Sequence, residues 1–105
     1  MAGQTAHRFN ISGISNADPC VVTTSAVNDF ETDDFVRITD LNGRIPTPRG
    51  CDQINNKKFL IVVVDTTHFK LKDKTTHEYI DSTNFTPYVT GGNVNLVEYN
   101  FEYSA

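Results

Sequence analysis

Lys58 to Lys72 is written as a β-hairpin. Lys58 to Asp65 is the most apolar stretch of the chain, and Asp65-Thr66-Thr67-His68 follows as a four-residue turn. Phe69-Lys70-Leu71-Lys72 then alternates strictly, so a period of two places Phe69 and Leu71 on the core face and Lys70, Lys72 and Lys74 opposite. The apolar run predicts a strand buried on both faces. Composition extends the strand reading to the whole chain: Thr, Val and Ile number 13, 10 and 7, against 5 Ala and 4 Leu. Branched side chains suit a pleated surface and lose rotamer freedom in a helix. No window of a dozen residues carries a clean 3.6-residue apolar stripe. The expectation is an all-β domain with at most one short helical turn.

The remaining strands follow from the same alternation. Arg8 to Ile14 places Phe9 and Ile11 on one face, with Gly13 as a weak point or bulge. After Asn16-Ala17-Asp18-Pro19 come Cys20 to Thr24 and, beyond a polar acidic loop anchored by Phe30, Phe35 to Thr39. Asn42-Gly43 supplies a tight turn. Arg44 to Asn56, with Pro46, Pro48 and Gly50, reads as an irregular excursion. Lys74 to Gly92 is loop-like, with Tyr79, Ile80, Phe85 and Tyr88 as contacts to the core.

The last segment, Asn93 to Tyr103, has a fault. Val94 and Leu96 share one parity, whereas Val97, Tyr99, Phe101 and Tyr103 share the other. A bulge or sheet switch near Leu96-Val97 reconciles them. The whole reads as one small β-barrel or sandwich of six to seven short antiparallel strands with terminal extensions. Residues 1–8 form an N-terminal arm, 9–96 the barrel domain and 97–105 a C-terminal strand.

Charge and hydropathy narrow the function classes. A net charge of −4 argues against a general nucleic-acid binder, which needs surplus Lys and Arg. The longest apolar run, Phe59 to Val64, falls far short of a membrane span of roughly 18 residues. Met1-Ala2-Gly3-Gln4-Thr5 has no apolar signal core, so synthesis in a cytoplasm is expected. Cys20 and Cys51 have neither a Cys-x-x-Cys nor a metal-ligand spacing. They fit buried thiols, or a disulfide if the protein matures outside a reducing compartment.

Several segments, in order, resemble a small β-barrel module of bacteriophage tail and other virion proteins. The module is termed FCCH-like, after the first catalytic cysteine half-domain of ubiquitin-activating enzymes. The resemblance is carried by Ile11-Ser12-Gly13-Ile14, by Asp18 to Ala26, by Phe30 with Asp34 to Ile38, and by Leu41-Asn42-Gly43-Arg44. It continues through Lys58-Phe59, Val62 to Asp65, Thr67 to Leu71 and Tyr88 to Gly92, covering roughly residues 9–94. The chain departs where the module has His-Gly-Phe before the third strand and Gly-Asp after it; Val27-Asn28-Asp29-Phe30 and Asp33-Asp34 stand there instead. The insert Ile45 to Asn55 is also longer. Despite the module's name, the resemblance implies a structural, assembling domain and gives neither cysteine a reactive role.

Candidate chemistry is sparse. Asp29, Glu31, Asp33 and Asp34 lack the Asp-x-Asp-x-Asp-Gly order of a calcium loop, and a solvated acidic loop is expected. His7, His68 and His77 share no metal-ligand spacing, and no nucleophile elbow or phosphate loop is present. No catalytic residue, metal or cofactor is expected. Lys70, Lys72 and Lys74 form either a basic stripe for a partner or a guard against unwanted strand pairing. Asn10-Ile11-Ser12 and Asn84-Phe85-Thr86 match the glycosylation pattern as chance occurrences.

The two ends carry more apolar surface than solvated tails require, so Phe9, Ile11, Val97, Tyr99, Phe101 and Tyr103 are the expected interface residues. The resulting expectation is a non-enzymatic virion protein made in a host cytoplasm, an assembly module of tail, adaptor (neck) or baseplate. Its partners would be other virion proteins and its own copies in a symmetric homo-oligomer, without specific nucleic acid or membrane. The alternatives are a capsid decoration (cement) protein, or a carbohydrate or host-surface binding module displaying Tyr79, Tyr88 and the acidic loop.

Overall fold

Each strand carries one apolar face, and in a chain with almost no helix those faces can only be buried against each other. A computed structural model describes residues 8–41 and 49–97. Its strands are β1 (Arg8–Ile14), β2 (Val21–Thr24), β3 (Phe35–Thr39), β4 (Lys57–Val63), β5 (His68–Asp73) and β6 (Asn93–Leu96). They close into a barrel in the order β1-β2-β5-β4-β3-β6, with β6 returning to β1 and every neighbouring pair antiparallel. The β2–β3 and β5–β6 connections each pass over two intervening strands, a Greek-key path.

The interior is filled by alternate residues. Val22, Val36, Ile38, Ile61, Phe69, Leu71 and Val94 are fully buried. The bulge expected at Gly13 appears as a register shift between Ile11 and Gly13, after which Ile14 rather than Ser12 or Gly13 faces inward. Phe30 plugs one part of the core from the β2–β3 loop. Its ring meets Phe69 edge-on at 5.6 Å and Phe9 at 5.2 Å.

The β4–β5 hairpin forms as the sequence predicts, with Val63 opposite Phe69 and Ile61 opposite Leu71. Its turn is tied by Asp65 Oδ1, which accepts the backbone N–H groups of Thr67 at 3.0 Å and His68 at 2.9 Å. Burial of β4 on both faces is a misreading. Phe59 and Ile61 are buried, but Leu60, Val62 and Val63 are only half-buried, and Val64 lies beyond the strand and is 53% exposed. A closed barrel has one interior, so the second apolar face of a strand must lie outside.

Tyr79 likewise is not a core contact. It is 44% exposed on the outer face, whereas Ile80, Phe85 and Tyr88 do pack on the core. The excursion before β4 contains a 3₁₀ turn, Asp52–Ile54, that delivers Ile54 to the core at 1% exposure, with Cys51 fully buried beside it. The Asn42-Gly43 turn lies outside the described residues.

One barrel end is closed by Ser82, which is fully buried although polar. Its hydroxyl accepts the Ala17 N–H at 3.0 Å and donates to the Ser15 carbonyl at 2.6 Å. The loop after β5 is thereby stitched to the β1–β2 turn. Near β6, Gly91 and Gly92 adopt positive φ of 81° and 93° and lead the chain into its last strand. The Tyr88 hydroxyl secures that entry through the carbonyls of Ile11, at 3.0 Å, and Gly91, at 2.8 Å.

Candidate interaction surface

Outward-facing positions on β3, β4 and β5 line up across the strands because register fixes who stands beside whom. One row begins at Val97, whose N–H donates to the Phe35 carbonyl at 2.7 Å. Phe35 pairs with Leu60, Leu60 with Lys72, and Lys72 bridges to Tyr79. The row is apolar at the β6 side and becomes cationic over an aromatic ring at the other. The ammonium groups of Lys70 and Lys72 lie 5.6 and 5.1 Å from the centre of the Tyr79 ring. Such contacts hold flexible lysines in place while leaving their charge on the surface.

A second row runs beside the first. Arg37 pairs with Lys58, and both line one depression with Lys57 and Lys74. Arg37, Lys58, Lys70, Lys72 and Lys74, five of the chain's nine Lys and Arg residues, therefore share this outer face, although the whole chain carries −4. Their proximity is felt. The Lys58 ammonium is held below its ordinary pKa by partial desolvation first and then by the charges of Arg37 and Lys74. The nearby Asp73 is engaged with backbone, its Oδ1 accepting the N–H groups of Thr75 at 2.7 Å and Thr76 at 2.9 Å. Those bonds, Thr76 foremost, lower its pKa. Two open depressions flank the rows, about 420 Å³ on the Arg37 and Lys58 side and about 670 Å³ on the Phe35 and Leu60 side. Lys74 lines both.

The expected interface residues fall in different places. Ile11 is 5% exposed and belongs to the core, so its side chain has no free face to offer a partner. Phe9 is half-buried at the rim of the core against Phe30. Val97 is half-buried and lines the larger depression. Tyr99, Phe101 and Tyr103 lie outside the described residues. Arg8 stands opposite Asn95, so the start of β1 lies beside the end of β6.

Arg37, Lys57 and Lys58 were not linked to the lysines of β5 by sequence reasoning. Alternation points Arg37 and Lys58 outward, with Lys57 exposed at the start of β4, but only the β3–β4–β5 order makes them neighbours of the β5 lysines. The acidic loop is a hydrogen-bonded turn in which Asp34 Oδ2 accepts the Glu31 N–H at 2.8 Å. Among the described residues no three His, Cys, Asp or Glu side chains converge as a metal site would require. His68 Nδ1 lies 2.8 Å from Asp65 Oδ1, and His7 lies outside the described residues.

Cys20 and Cys51 are both free and fully buried. Burial raises the pKa of each thiol, that of Cys51 to about 11. A thiol so placed is a poor nucleophile at neutral pH. The chemistry this surface offers is recognition: cations beside apolar side chains, suited to a partner carrying carboxylates and aromatic rings together. No protein-family model matches the chain, and no curated protein sequence matches it either.

Proposed function

We propose that this protein is a non-enzymatic assembly module of a bacteriophage particle, built into the tail, adaptor or baseplate. The assembly reading is carried by one observation: the apolar and cationic rows lie side by side on the outer face of β3–β4–β5, bordered by Val97. A filled barrel with a patterned exterior suits repeated contacts between subunits, where many modest interfaces become collectively strong through avidity. The bacteriophage part of the reading rests on the resemblance of residues 9–94 to the FCCH-like module. A capsid-surface position would use the same contacts. The carbohydrate-binding alternative is weaker, because the exposed Tyr79 ring that a sugar would stack on is already faced by Lys70 and Lys72.

The test is incorporation. A tagged full-length chain made in cells producing the particles should co-sediment with them. A chain with Tyr99, Phe101 and Tyr103 all changed to Ala should remain soluble, folded and unincorporated. Equal incorporation of both chains would remove the terminal segment from the assembly contact. Absence of the unaltered chain from every particle would end the proposal.

A further inference from the structure

We infer that the outer surface of the barrel binds single-stranded nucleic acid, with phosphates along the cationic row and bases against the apolar row beside it. This goes beyond the assembly reading and is decided on the purified protein alone. The cationic row is longer than the β3–β4–β5 face. Arg37 stands opposite Lys58 on one side and Asn95 on the other, and Asn95 stands opposite Arg8. Beyond Lys58 comes Lys74, one residue past the pairing of Phe59 with Asp73. Residues directly opposite across antiparallel strands share one side of the sheet. The row therefore reads Arg8, Asn95, Arg37, Lys58, Lys74 across β1, β6, β3, β4 and β5, with no carboxylate in it. It crosses four strand spacings, about 19 Å around the barrel.

A whole-chain charge of −4 is an average that no ligand meets. A polyanion meets this row, and each phosphate neutralised there releases counterions. Asp73 lines the same depression as Arg37, Lys58 and Lys74, but its Oδ1 already accepts the Thr75 and Thr76 N–H groups. The apolar row serves the other half of a nucleotide. Phe35 and Leu60 lie two residues from Arg37 and Lys58 along their strands, about 7 Å away. With Val97 they line the larger depression, about 670 Å³, and Lys74 lines both depressions. A strand whose phosphates follow Arg37, Lys58 and Lys74 thus has a concave apolar surface within reach of its bases. Unpaired bases favour such a surface, whereas a duplex keeps its bases stacked inside.

An acidic peptide is the competing occupant, and closure of the barrel disfavours it. Among the described residues every strand is paired with a neighbour on both sides. The surface therefore has no open edge at which a peptide could add as a strand, and the main-chain hydrogen bonds that give such additions their affinity are not on offer. A single-stranded nucleic acid needs a cationic track and apolar contact for its bases, and both are present side by side.

Fluorescence anisotropy of the full-length chain with a labelled oligothymidylate of about 15 nucleotides tests this. The logarithm of affinity should fall against the logarithm of salt concentration with a slope of about −3, from four phosphate contacts at about 0.7 each. Arg37→Gln with Lys74→Gln should flatten the slope by about 1.4 and weaken binding at least about tenfold near 50 mM salt. Both side chains are exposed and glutamine keeps a long stem, so circular dichroism should show the fold retained. Arg8→Gln, on β1, should flatten the slope by about 0.7 and keeps the test alive if the double variant does not fold. No binding by the unaltered chain near 50 mM salt overturns the inference, as does a slope that neither variant changes. A duplex, or a poly-glutamate of equal charge, bound as tightly as the single strand also overturns it, the second by reassigning the row to an acidic protein. Particle incorporation judges the assembly reading separately.

Discussion

Two glycines, Gly92 and Gly13, are expected to respond very differently to the same substitution. At Gly92 the backbone has φ of 93°, and an added Cβ would stand 2.8 Å from Leu41 Cδ2, 3.1 Å from Leu41 Cγ and 3.3 Å from Ile11 Cδ1. Leu41 and Ile11 are core residues with little space to retreat. Left-handed backbone costs a non-glycine residue about 1–2 kcal/mol, and overpacking a dense core adds about 1–3 kcal/mol. Gly92→Ala should therefore destabilise the barrel by about 2–5 kcal/mol, a large share of the roughly 5–15 kcal/mol available to a domain. The damage falls on the β1–β6 closure, since the Gly92 carbonyl accepts the Ile11 N–H at 3.0 Å.

At Gly13 the nearest atom to an added Cβ is Thr23 Cβ at 3.6 Å, an ordinary contact, and φ is not left-handed. Gly13→Ala should change stability by less than about 1 kcal/mol in either direction. The chain has no Trp, so urea unfolding is best followed by far-ultraviolet circular dichroism. With about 1–3 kcal/mol per molar urea for a small protein, a 3 kcal/mol loss moves the midpoint by about 1–3 M. If Gly92→Ala costs no more than Gly13→Ala, the account of how the chain enters β6 is wrong.

Other consequences are equally direct. Ser82→Ala removes the acceptor for Ala17 N–H and the donor to Ser15 inside a sealed site, and should cost about 1–3 kcal/mol in the same unfolding assay; a neutral result would mean water replaces the hydroxyl. Phe30→Ala should cost about 3–5 kcal/mol because it empties the space between Phe9 and Phe69, with Phe30→Leu milder; equal costs would show that the ring contacts contribute nothing. Stability should fall at alkaline pH. Cys51 rises from 9.0 to about 11 on folding, so its contribution is complete below pH 9 and is lost as pH rises through 11, of order 2–3 kcal/mol at about 1.4 kcal/mol per unit. Cys20 and Tyr88 are raised as well and add loss of the same sign. Cys51→Ala should flatten the decline between pH 9 and 11, and an unchanged slope would exclude the thiol as its source.

The hairpin of β4 and β5, the span of β3 and the weak point at Gly13 were legible in the sequence because each is a local pattern. A period of two needs only neighbours along the chain, and a glycine or an acidic turn marks its own bend. The bulge or sheet switch expected near Leu96-Val97 is not seen among the described residues: the β3–β6 register runs without a shift, and Val97 continues the ladder on Phe35. Val94 and Leu96 point inward and Val97, one residue on, lines the outer depression, as plain alternation requires, while Tyr99, Phe101 and Tyr103 lie outside the described residues.

What the chain alone decided is which residues form strands, and which face of each strand is apolar. Tertiary structure decided that the strands close in the order β1-β2-β5-β4-β3-β6. That order left Leu60, Val62 and Tyr79 on the outside, drew Ile54 and Ser82 inward, and assembled Arg37, Lys58 and Lys74 from three separate stretches of sequence. The reason is that alternation fixes the side a residue faces but says nothing about its neighbour across the sheet. Neighbours are set by closure of the whole barrel, and the candidate surface consists entirely of such neighbours.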